Sequence, residues 1–283
     1  MIRLLTAAAL CLTTTSLAAT ATPPAPPAKA AMPNESQCVA LGSPGAPIPF
    51  GPGETLEYDI DALGAKAGRM TMRVQPSREG NLPVEVSVET NTFFSKVRRV
   101  RGSGTSYLNP RTLRPTRYYE DAKENDIHRV ADVTFRKDRT AKLISTINGQ
   151  RGTAQLRYGN DITDVAGAVF LLRSLPLKEG MPMCVDVYGI RAIWRVWGKV
   201  ASKEHVSLPV GEFEAFHFEG EAARLDLPDA RRQVHIWISD DTKRLPLAAV
   251  GMIDLGAVRA TLTGFSRPGD KGARAEHKGN LKW

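Results

Sequence analysis

The stretch "TLEYDIDALGAKAGRMTMRV", residues 55–74, shows most clearly the pattern that runs through this chain. Large apolar side chains occupy every second position in its two halves, and a glycine-containing turn separates the halves. Period-two alternation places apolar side chains on one face of a β-strand and polar side chains on the other. The stretch therefore predicts a β-hairpin with one buried face and one solvated face. The apolar positions are Leu56, Tyr58, Ile60, Met70, Met72 and Val74.

The same alternation continues along most of the chain. Val84, Val86 and Val88 repeat it, and "REGNLP" and "INGQRG" separate such runs at hairpin-like intervals. The run "RAIWRVWGKV", residues 191–200, is apolar on both faces, which indicates a strand covered on both sides. A sheet of so many strands has to curl, split or flatten. We predict a mainly β fold with one domain over residues 48–266, a large antiparallel curled sheet that resembles a barrel or half-barrel.

One segment breaks the two-residue period. In residues 162–174 the apolar side chains follow helical spacing, and Pro176 ends the pattern. Asp161 is placed to cap such a helix, with Asp164 in its first turn. The sequence therefore predicts a single short α-helix near residues 162–174 that braces the sheet.

The two ends of the chain differ in composition from this domain. Residues 1–19 have an arginine near the start, a short apolar run and small residues at the end, which is the layout of a secretory signal peptide. Residues 20–47 form a tether rich in proline and alanine that includes the Cys38 segment, and residues 267–283 form a basic tail predicted to be flexible. The expected location is periplasmic or secreted, with no transmembrane segment in the mature chain.

The cysteines of the predicted mature chain are Cys38 and Cys184. An even pair in an exported protein is typical of a disulfide bond, since zinc would need further ligands at close spacing. The alternative is two separate buried thiols. We expect the disulfide.

The chain carries a formal net charge of +8 at pH 7. Export argues against nucleic acid as a partner, and the scattered cations favour a role in solubility over one in binding. The stretch "SKVRRVRGSG" concentrates four cations, Lys96, Arg98, Arg99 and Arg101. An edge strand that uses cations to discourage pairing with other chains is the favoured explanation, and docking of an anionic headgroup or sugar acid is the alternative.

Motifs for nucleophilic catalysis and for dinucleotide binding are absent from the sequence. No Gly-x-Ser-x-Gly occurs, and "GPGETL" lacks the third glycine of a dinucleotide loop. Asp240 and Asp241 in "ISDDTKRLP" look like an acid pair, but "YLNPRTLRP" has the same layout without aspartates. We therefore interpret both stretches as turns between strands, with both aspartates exposed.

Two histidines and two glutamates fall on the polar faces of two strands that are predicted to pair. They are His217, Glu219, Glu221 and His235. Such a set could hold zinc, but a solvated polar face explains it more simply. We predict no metal site, no cofactor and no enzymatic activity.

Five stretches in a fixed order carry a resemblance to a known family. They are "FGPGETLEYDIDALGAKAGRMTM", "YLNPRTLRP", "DVAGAVFLLRSLPLKEG", "LPVGEFEAFHFEGE" and "IWISDDTKRLPL". Together they resemble the exported bacterial family called domain of unknown function 3108, over residues 50–262. The resemblance implies an all-β envelope protein with a curled sheet and an unassigned role. More loosely, the chain is similar to lipoprotein-carrier proteins, whose open half-barrel holds acyl chains, but no ligand residue carries over from them.

Two classes of function follow, with a third behind them. The first is a protein that binds or carries an apolar ligand such as an acyl chain or lipid, or assists envelope assembly, with envelope proteins as partners and peripheral membrane contact allowed. The side chains expected to line its concavity are Tyr58, Met70, Met72, Phe170 and Trp194. The alternative is a structural or protein-interaction module with a filled core, and a hydrolase is third.

Overall fold

The computed structural model describes residues 31–189, 191–253, 256–269 and 273–274. The chain divides into two compact units, Met1–Ala31 and Met32–Trp283, and the account below concerns the second unit. The predicted signal peptide, residues 1–19, lies outside the described residues.

The second unit contains sixteen described strands, one α-helix and one short 3-10 helix, Phe94–Lys96. The α-helix, α1, spans Val165–Ser174. The strands are β1 (Thr55–Ala62), β2 (Ala65–Val74), β3 (Leu82–Thr90), β4 (Val100–Leu108), β5 (Pro115–Glu124), β6 (Ile127–Phe135), β7 (Thr140–Ile147), β8 (Gln150–Arg157), β9 (Ile162–Asp164), β10 (Pro182–Gly189), β11 (Ala192–Leu208), β12 (Gly211–Arg224), β13 (Arg231–Ser239), β14 (Pro246–Ile253), β15 (Gly256–Ser266) and β16 (Ala273–Arg274).

All of these strands belong to one sheet that is open at both ends. Its order is β8-β7-β6-β5-β4-β3-β2-β1-β15-β14-β13-β12-β11-β10-β9, and β16 pairs with β15. Neighbouring strands are antiparallel, except that β9 runs parallel to β10. The first and last long strands pair directly, with Thr55 opposite Ser266. The predicted curled, mainly antiparallel sheet with one helix is confirmed.

The helix begins three residues later than the sequence predicts. Residues 162–164 form β9, and the side chain of Asp164 caps the helix by accepting a hydrogen bond from the Gly167 N–H at 2.8 Å. Asp161 is not the cap, because its carboxylate binds Arg114 Nε at 2.6 Å and the backbone N–H of Leu41 at 2.9 Å. A long-range ion pair thus competes with local capping.

The helix packs on one face of the sheet, which is called the inner face below. Phe170 belongs to a buried cluster that joins Leu56 and Met72 of the first strands to Leu262 of β15. Leu171, one position along the helix, joins a second cluster built around the later strands. The helix therefore occupies the space between the two halves of the curled sheet.

The folded unit extends beyond the predicted bounds of 48–266 at both ends. Cys38 forms a disulfide bond with Cys184, as predicted, with a Cα–Cα distance of 5.1 Å. Gly45 donates its backbone N–H to the carbonyl of Ser174 at 2.8 Å. At the other end, Arg267 donates to buried carboxylate and carbonyl oxygens, and β16 adds to the sheet. The Cys38 segment and the first tail residues are therefore part of the fold.

Candidate functional site

Four of the five predicted lining residues come together on the inner face. Tyr58, Met72 and Phe170 belong to one packed cluster, and none of these three side chains is more than 4 % exposed. Met70 is half-buried and packs against that cluster. The Tyr58 hydroxyl donates to the Pro246 carbonyl at 2.9 Å, and burial raises the pKa of Tyr58 above its ordinary value. At the level of the helix the interior is filled by side chains.

Trp194 lies apart from the other four residues. It is half-buried on β11, and its indole Nε1 donates to the Gly189 carbonyl at 3.3 Å. The guanidinium carbon of Arg232 lies 5.9 Å from the centre of the Trp194 ring, which is the geometry of a weak cation–π contact. Trp194 therefore belongs to the later strands rather than to the cluster around Phe170.

Burial on the inner face falls towards the same end of the sheet along β1 and β13. On β1 the exposed fraction is 0 % at Leu56 and 4 % at Tyr58, whereas Ile60 is only half-buried. On β13 Ile238 is 1 % exposed, whereas Val234 is half-buried. The strand registers place all of these side chains on one continuous face.

The half-buried apolar side chains of this face form what we call the inner band. It lies between the packed cluster and the strand ends at residues 62, 90 and 231. Its members are Ile60, Met70, Val86, Val88, Val196, Val234, Ile236 and Ala260.

Gly102 and Gly220 are among the inner-face glycines that mark where neighbouring strands approach too closely for side chains. A Cβ added at Gly102 would lie 2.6 Å from the Cβ of Ala122, and one added at Gly220 would lie 2.4 Å from the Trp197 carbonyl oxygen. Such distances are well inside van der Waals contact, so only glycine fits at either position. The two glycines leave the face beside the inner band without side chains.

Strands β5 and β6 make one side of the inner face polar. Glu120 accepts hydrogen bonds from Arg129 Nε at 2.6 Å and from the Tyr118 hydroxyl at 3.2 Å. Burial, followed by the charge of Glu120, raises the pKa of Tyr118 above its ordinary value. The inner face therefore offers charged and hydroxyl groups beside an apolar surface.

The connections between strands define two rims of the sheet. The polar rim comprises residues 75–81, 109–114, 136–139, 209–210 and 240–245. The apolar rim lies at the opposite ends of the strands. It comprises the β12–β13 turn, the end of β14, the β1–β2 turn, the β3–β4 connection and the β5–β6 turn. Of the nine exposed large hydrophobic residues among the described ones, six lie on the apolar rim and none in the polar-rim connections. The six are Leu63, Phe93, Val97, Ile127, Leu227 and Met252.

A buried ion network holds the polar rim together. Glu54 binds Arg173 Nη1 and Arg267 Nε, each at 2.6 Å, and the side chains of Glu54 and Arg173 are no more than 1 % exposed. The Arg173 guanidinium also lies 4.9 Å from the ring centres of both Phe50 and Phe170. Sequence reasoning missed this network, although Arg173 falls on the apolar stripe of the predicted helix and so called for a buried partner.

A cleft of about 350 Å³ lies beside this network. Its one charged lining residue, Arg267, is already paired with Glu54, so the cleft offers no unpaired charge to a ligand. The lining residues are Pro47, Ile48, Pro49, Phe50, Gly51, Pro52, Thr242, Arg267 and Pro268.

The cation-rich stretch that includes Lys96 and Arg99 lies on the apolar rim, in the connection between β3 and β4. The edge-strand explanation for it is wrong, because β4 lies inside the sheet between β3 and β5. The strands at the two ends of the sheet order are β8 and β9.

The predicted polar face of β12 and β13 exists, and its histidines are mutually hydrogen-bonded. His217 contacts Glu204 Oε1 at 2.8 Å and His235 Nδ1 at 3.0 Å, and Trp237 donates to Glu204 Oε2 at 2.9 Å. Partial burial opposes ionisation of Glu204, but the hydrogen bonds from Trp237, Ser202 and His217 outweigh it and lower the pKa of Glu204. Among the described residues no group of three or more such side chains could hold a metal ion.

The Asp240 and Asp241 pair forms a turn, as predicted. Asp241 is exposed and accepts from the N–H groups of Lys243 and Arg244, both at 2.9 Å, and from the Ser239 hydroxyl. Asp240 is half-buried, contrary to expectation, because it pairs with Lys203 at 2.6 Å and with Arg244. The two carboxylates therefore have separate structural partners.

Several solved structures are similar to this chain in outline. A β-barrel-like protein of domain of unknown function DUF1849 from Brucella abortus has 10 % identity and a TM-score of 0.47, and the match covers 74 % of this chain and 94 % of that one. A predicted lipoprotein from Parabacteroides distasonis has 10 % identity and a TM-score of 0.33, with 77 % and 98 % covered. A predicted exported protein with a YmcC-like fold from Bacteroides fragilis has 8 % identity and a TM-score of 0.31, with 77 % and 99 % covered.

No helix among the described residues has the length and apolar character needed to cross a membrane. No curated protein matches the chain. Residues 57–263 match the family described as "Protein of unknown function (DUF3108)", which is the family that the sequence stretches resemble. The match covers well over half of the chain, so this protein belongs to the DUF3108 family.

Proposed function

We propose that this protein is an exported, non-enzymatic envelope protein that binds an acyl chain or lipid on the inner face of its sheet. The observation that carries the proposal is the fall in burial along the inner face, from packed side chains at the polar rim to the half-buried inner band. Apolar surface in contact with water costs about 25 cal/mol for each Å². An apolar ligand that covers the inner band is therefore bound favourably.

The chemistry of the surroundings favours an amphiphile over a purely apolar ligand. The inner band offers aliphatic side chains, and burial of each methylene group contributes about 0.8 kcal/mol. Glu120 and Arg129 on the same face supply groups that a lipid headgroup could bind. Met70 adds a flexible thioether that adapts to irregular chains.

The disulfide bond between Cys38 and Cys184 supports the extracytoplasmic location. Disulfide bonds persist in oxidising compartments and are rare in the cytosol. A location in the envelope would bring the inner face within reach of lipids and lipoproteins.

The test combines native mass spectrometry with a binding titration. Protein purified gently from its own envelope is expected to carry a lipid mass, and the delipidated protein is expected to bind a fluorescent long-chain fatty acid saturably. Val88→Asp places a carboxylate in the inner band and is expected to weaken binding by about tenfold or more. The matched control is Ser87→Asp, which places the same group on the exposed outer face of β3 and should leave binding unchanged.

Two outcomes would overturn the proposal. One is a wild-type protein that carries no lipid mass and binds no fatty acid. The other is an equal loss of binding in both variants while both remain folded. Either outcome leaves the interaction module as the better explanation, since the cluster around Phe170 is already filled.

A further inference from the structure

The apolar rim presents large hydrophobic side chains to water at several separate turns. They lie on connections that are neighbours in the sheet, from the β12–β13 turn to the β5–β6 turn. Contiguous or clustered exposure of large apolar groups is rare on soluble proteins and marks interaction surfaces. The polar-rim connections, all of which the structure describes, contain no exposed large hydrophobic residue. A position in a turn therefore does not by itself explain why the apolar rim exposes such residues.

The β3–β4 connection, residues 91–99, is the most exposed part of this rim. Phe93 is 70 % exposed and Val97 is 59 % exposed, whereas Phe94 between them is 6 % exposed. Phe94 packs with Ala62 and Ala67 under the rim. The buried phenylalanine anchors the connection, and its neighbours point into solvent.

Hydrogen bonds fix the conformation of this connection. Asn91 accepts from the Phe94 N–H at 2.7 Å and donates to the Lys66 carbonyl at 2.5 Å. The Thr90 hydroxyl lies 2.9 Å from the Ser95 hydroxyl and accepts from the Val100 N–H at 3.0 Å. Because the connection is held in place, Phe93 and Val97 cannot reach the core by a small rearrangement of the loop.

The charge of the same connection is entirely positive. Lys96 and Arg99 are exposed, Arg98 is paired with Glu124 at the end of β5, and residues 91–99 contain no acidic side chain. Cations beside exposed apolar side chains are the combination found at membrane interfaces, where the cations meet anionic headgroups and the apolar groups enter the acyl region.

We propose that the apolar rim docks on the surface of an anionic lipid bilayer. Phe93 and Val97 enter the boundary between headgroups and acyl chains, and Lys96 and Arg99 bind the headgroups. A protein partner suits this rim less well, because protein interfaces have a continuous apolar centre with charges around it. Here the apolar tips are separate, Lys96 and Arg99 lie beside Phe93 and Val97, and a fluid bilayer accommodates separate anchors. The inference stands on the rim and is independent of the acyl site.

The experiment is vesicle co-sedimentation with the protein as recovered from the envelope. Wild type is expected to bind vesicles of phosphatidylcholine that contain phosphatidylglycerol more strongly than vesicles of phosphatidylcholine alone, and less strongly as salt is added. Phe93→Ser with Val97→Ser is expected to lower the partition coefficient by about tenfold. Lys96→Gln with Arg99→Gln is expected to remove the preference for the anionic vesicles.

The matched control is Val39→Ser, because Val39 is 75 % exposed but lies beside the disulfide rather than on the apolar rim. It should bind vesicles like wild type. The proposal is overturned if wild type ignores anionic vesicles, or if the Phe93 and Val97 variant binds as well as Val39→Ser. Fatty-acid binding without vesicles, measured on the same proteins, tells this failure from a failure of the acyl site, because the rim variants should keep it.

Discussion

The polar rim and the apolar rim are made by the same strands, yet the first buries charged side chains and the second exposes apolar ones. At the polar rim, Glu54 and Arg173 are charged and almost fully buried. At the apolar rim, Phe93 and Val97 are apolar and largely exposed. Both arrangements reverse the usual preference of these residue types. The difference indicates that the polar rim supplies stability and the apolar rim supplies an interaction surface.

Large stability effects are expected for the buried and covalent links away from the apolar rim, and the disulfide should give the largest. Replacing Cys38 and Cys184 with serine should lower the free energy of unfolding by about 5 kcal/mol in the chain-entropy model, because the bond closes a long loop. Urea unfolding of the variant and of the reduced wild type measures the loss. Equal midpoints for the oxidised and reduced chains would contradict the prediction.

The buried ion network should come next in size. Glu54→Gln removes the carboxylate that pairs with Arg173 and Arg267, and an uncompensated buried charge typically costs about 3–5 kcal/mol. The control is Glu89→Gln in the exposed pair with Arg101, for which the expected loss is below about 1 kcal/mol. Similar losses for the two variants would remove the distinction between buried and exposed pairs.

A third effect depends on pH and comes from the buried helix cap. Burial raises the pKa of Asp164 to about 6 despite hydrogen bonds from the Gly167 N–H and the Ser106 hydroxyl. The folded chain thus keeps the proton at pH values where the unfolded chain releases it. This contribution to stability is complete below about pH 4 and is lost as the pH rises to about 6.

Asp164→Asn keeps a capping side chain and does not titrate. Relative to wild type, it should therefore gain about 3 kcal/mol in unfolding free energy between about pH 3 and pH 8. Thermal or urea unfolding across this range measures the difference. Parallel pH profiles for the two proteins would contradict the prediction, because they would mean that Asp164 has the same pKa in the folded and unfolded chains.

A smaller effect is expected at the turn of residues 240–245. Asp241→Ala removes the acceptor for two backbone N–H groups, those of Lys243 and Arg244, and should cost about 1 kcal/mol. Asp240→Ala breaks a partly exposed pair with Lys203 and should cost less. The reverse order would mean that the ion pair, not the turn, stabilises this connection.

The smallest effect on stability is expected at the apolar rim. Phe93→Ser should change the unfolding free energy by no more than about 0.5 kcal/mol, because the side chain has few contacts to lose. Phe94→Ser, one position along, removes a buried anchor and should cost about 2 kcal/mol or more. If Phe93→Ser is as damaging as Phe94→Ser, the rim is part of the core and the comparison fails.

The architecture could be predicted from the sequence because its main signal is local. Alternation on residues 55–74 reports the buried face of each strand, and the structure confirms that face for Leu56 and Tyr58. The disulfide was predictable for a different reason, since predicted export and an even pair of cysteines together favour it. Neither prediction needs knowledge of which distant strands pair.

The candidate site was predictable only in part, because depth on a face depends on where distant elements lie. Alternation selects Tyr58, Met70 and Met72 equally, but the helix buries Tyr58 and Met72 and leaves Met70 half-buried. The apolar rim was missed for a related reason. The phenylalanines of "NTFFSKV" are visible in the sequence, yet only the connectivity places Phe93 beside the tips of other hairpins.

The pairing of β1 with β15 has a consequence for how the chain reaches its final form. Residues as distant as Thr55 and Ser266 are opposite each other, so this seam cannot form until nearly the whole chain is available. Contacts between distant residues slow folding, because the chain loses the entropy of a long loop before the strands gain their contact energy. During synthesis, strands β1 to β8 can pair with their sequence neighbours, but β1 lacks its second neighbour until β15 is available. The order of strands therefore delays completion of the sheet until the end of the chain has arrived, as the export proposed for this protein would require.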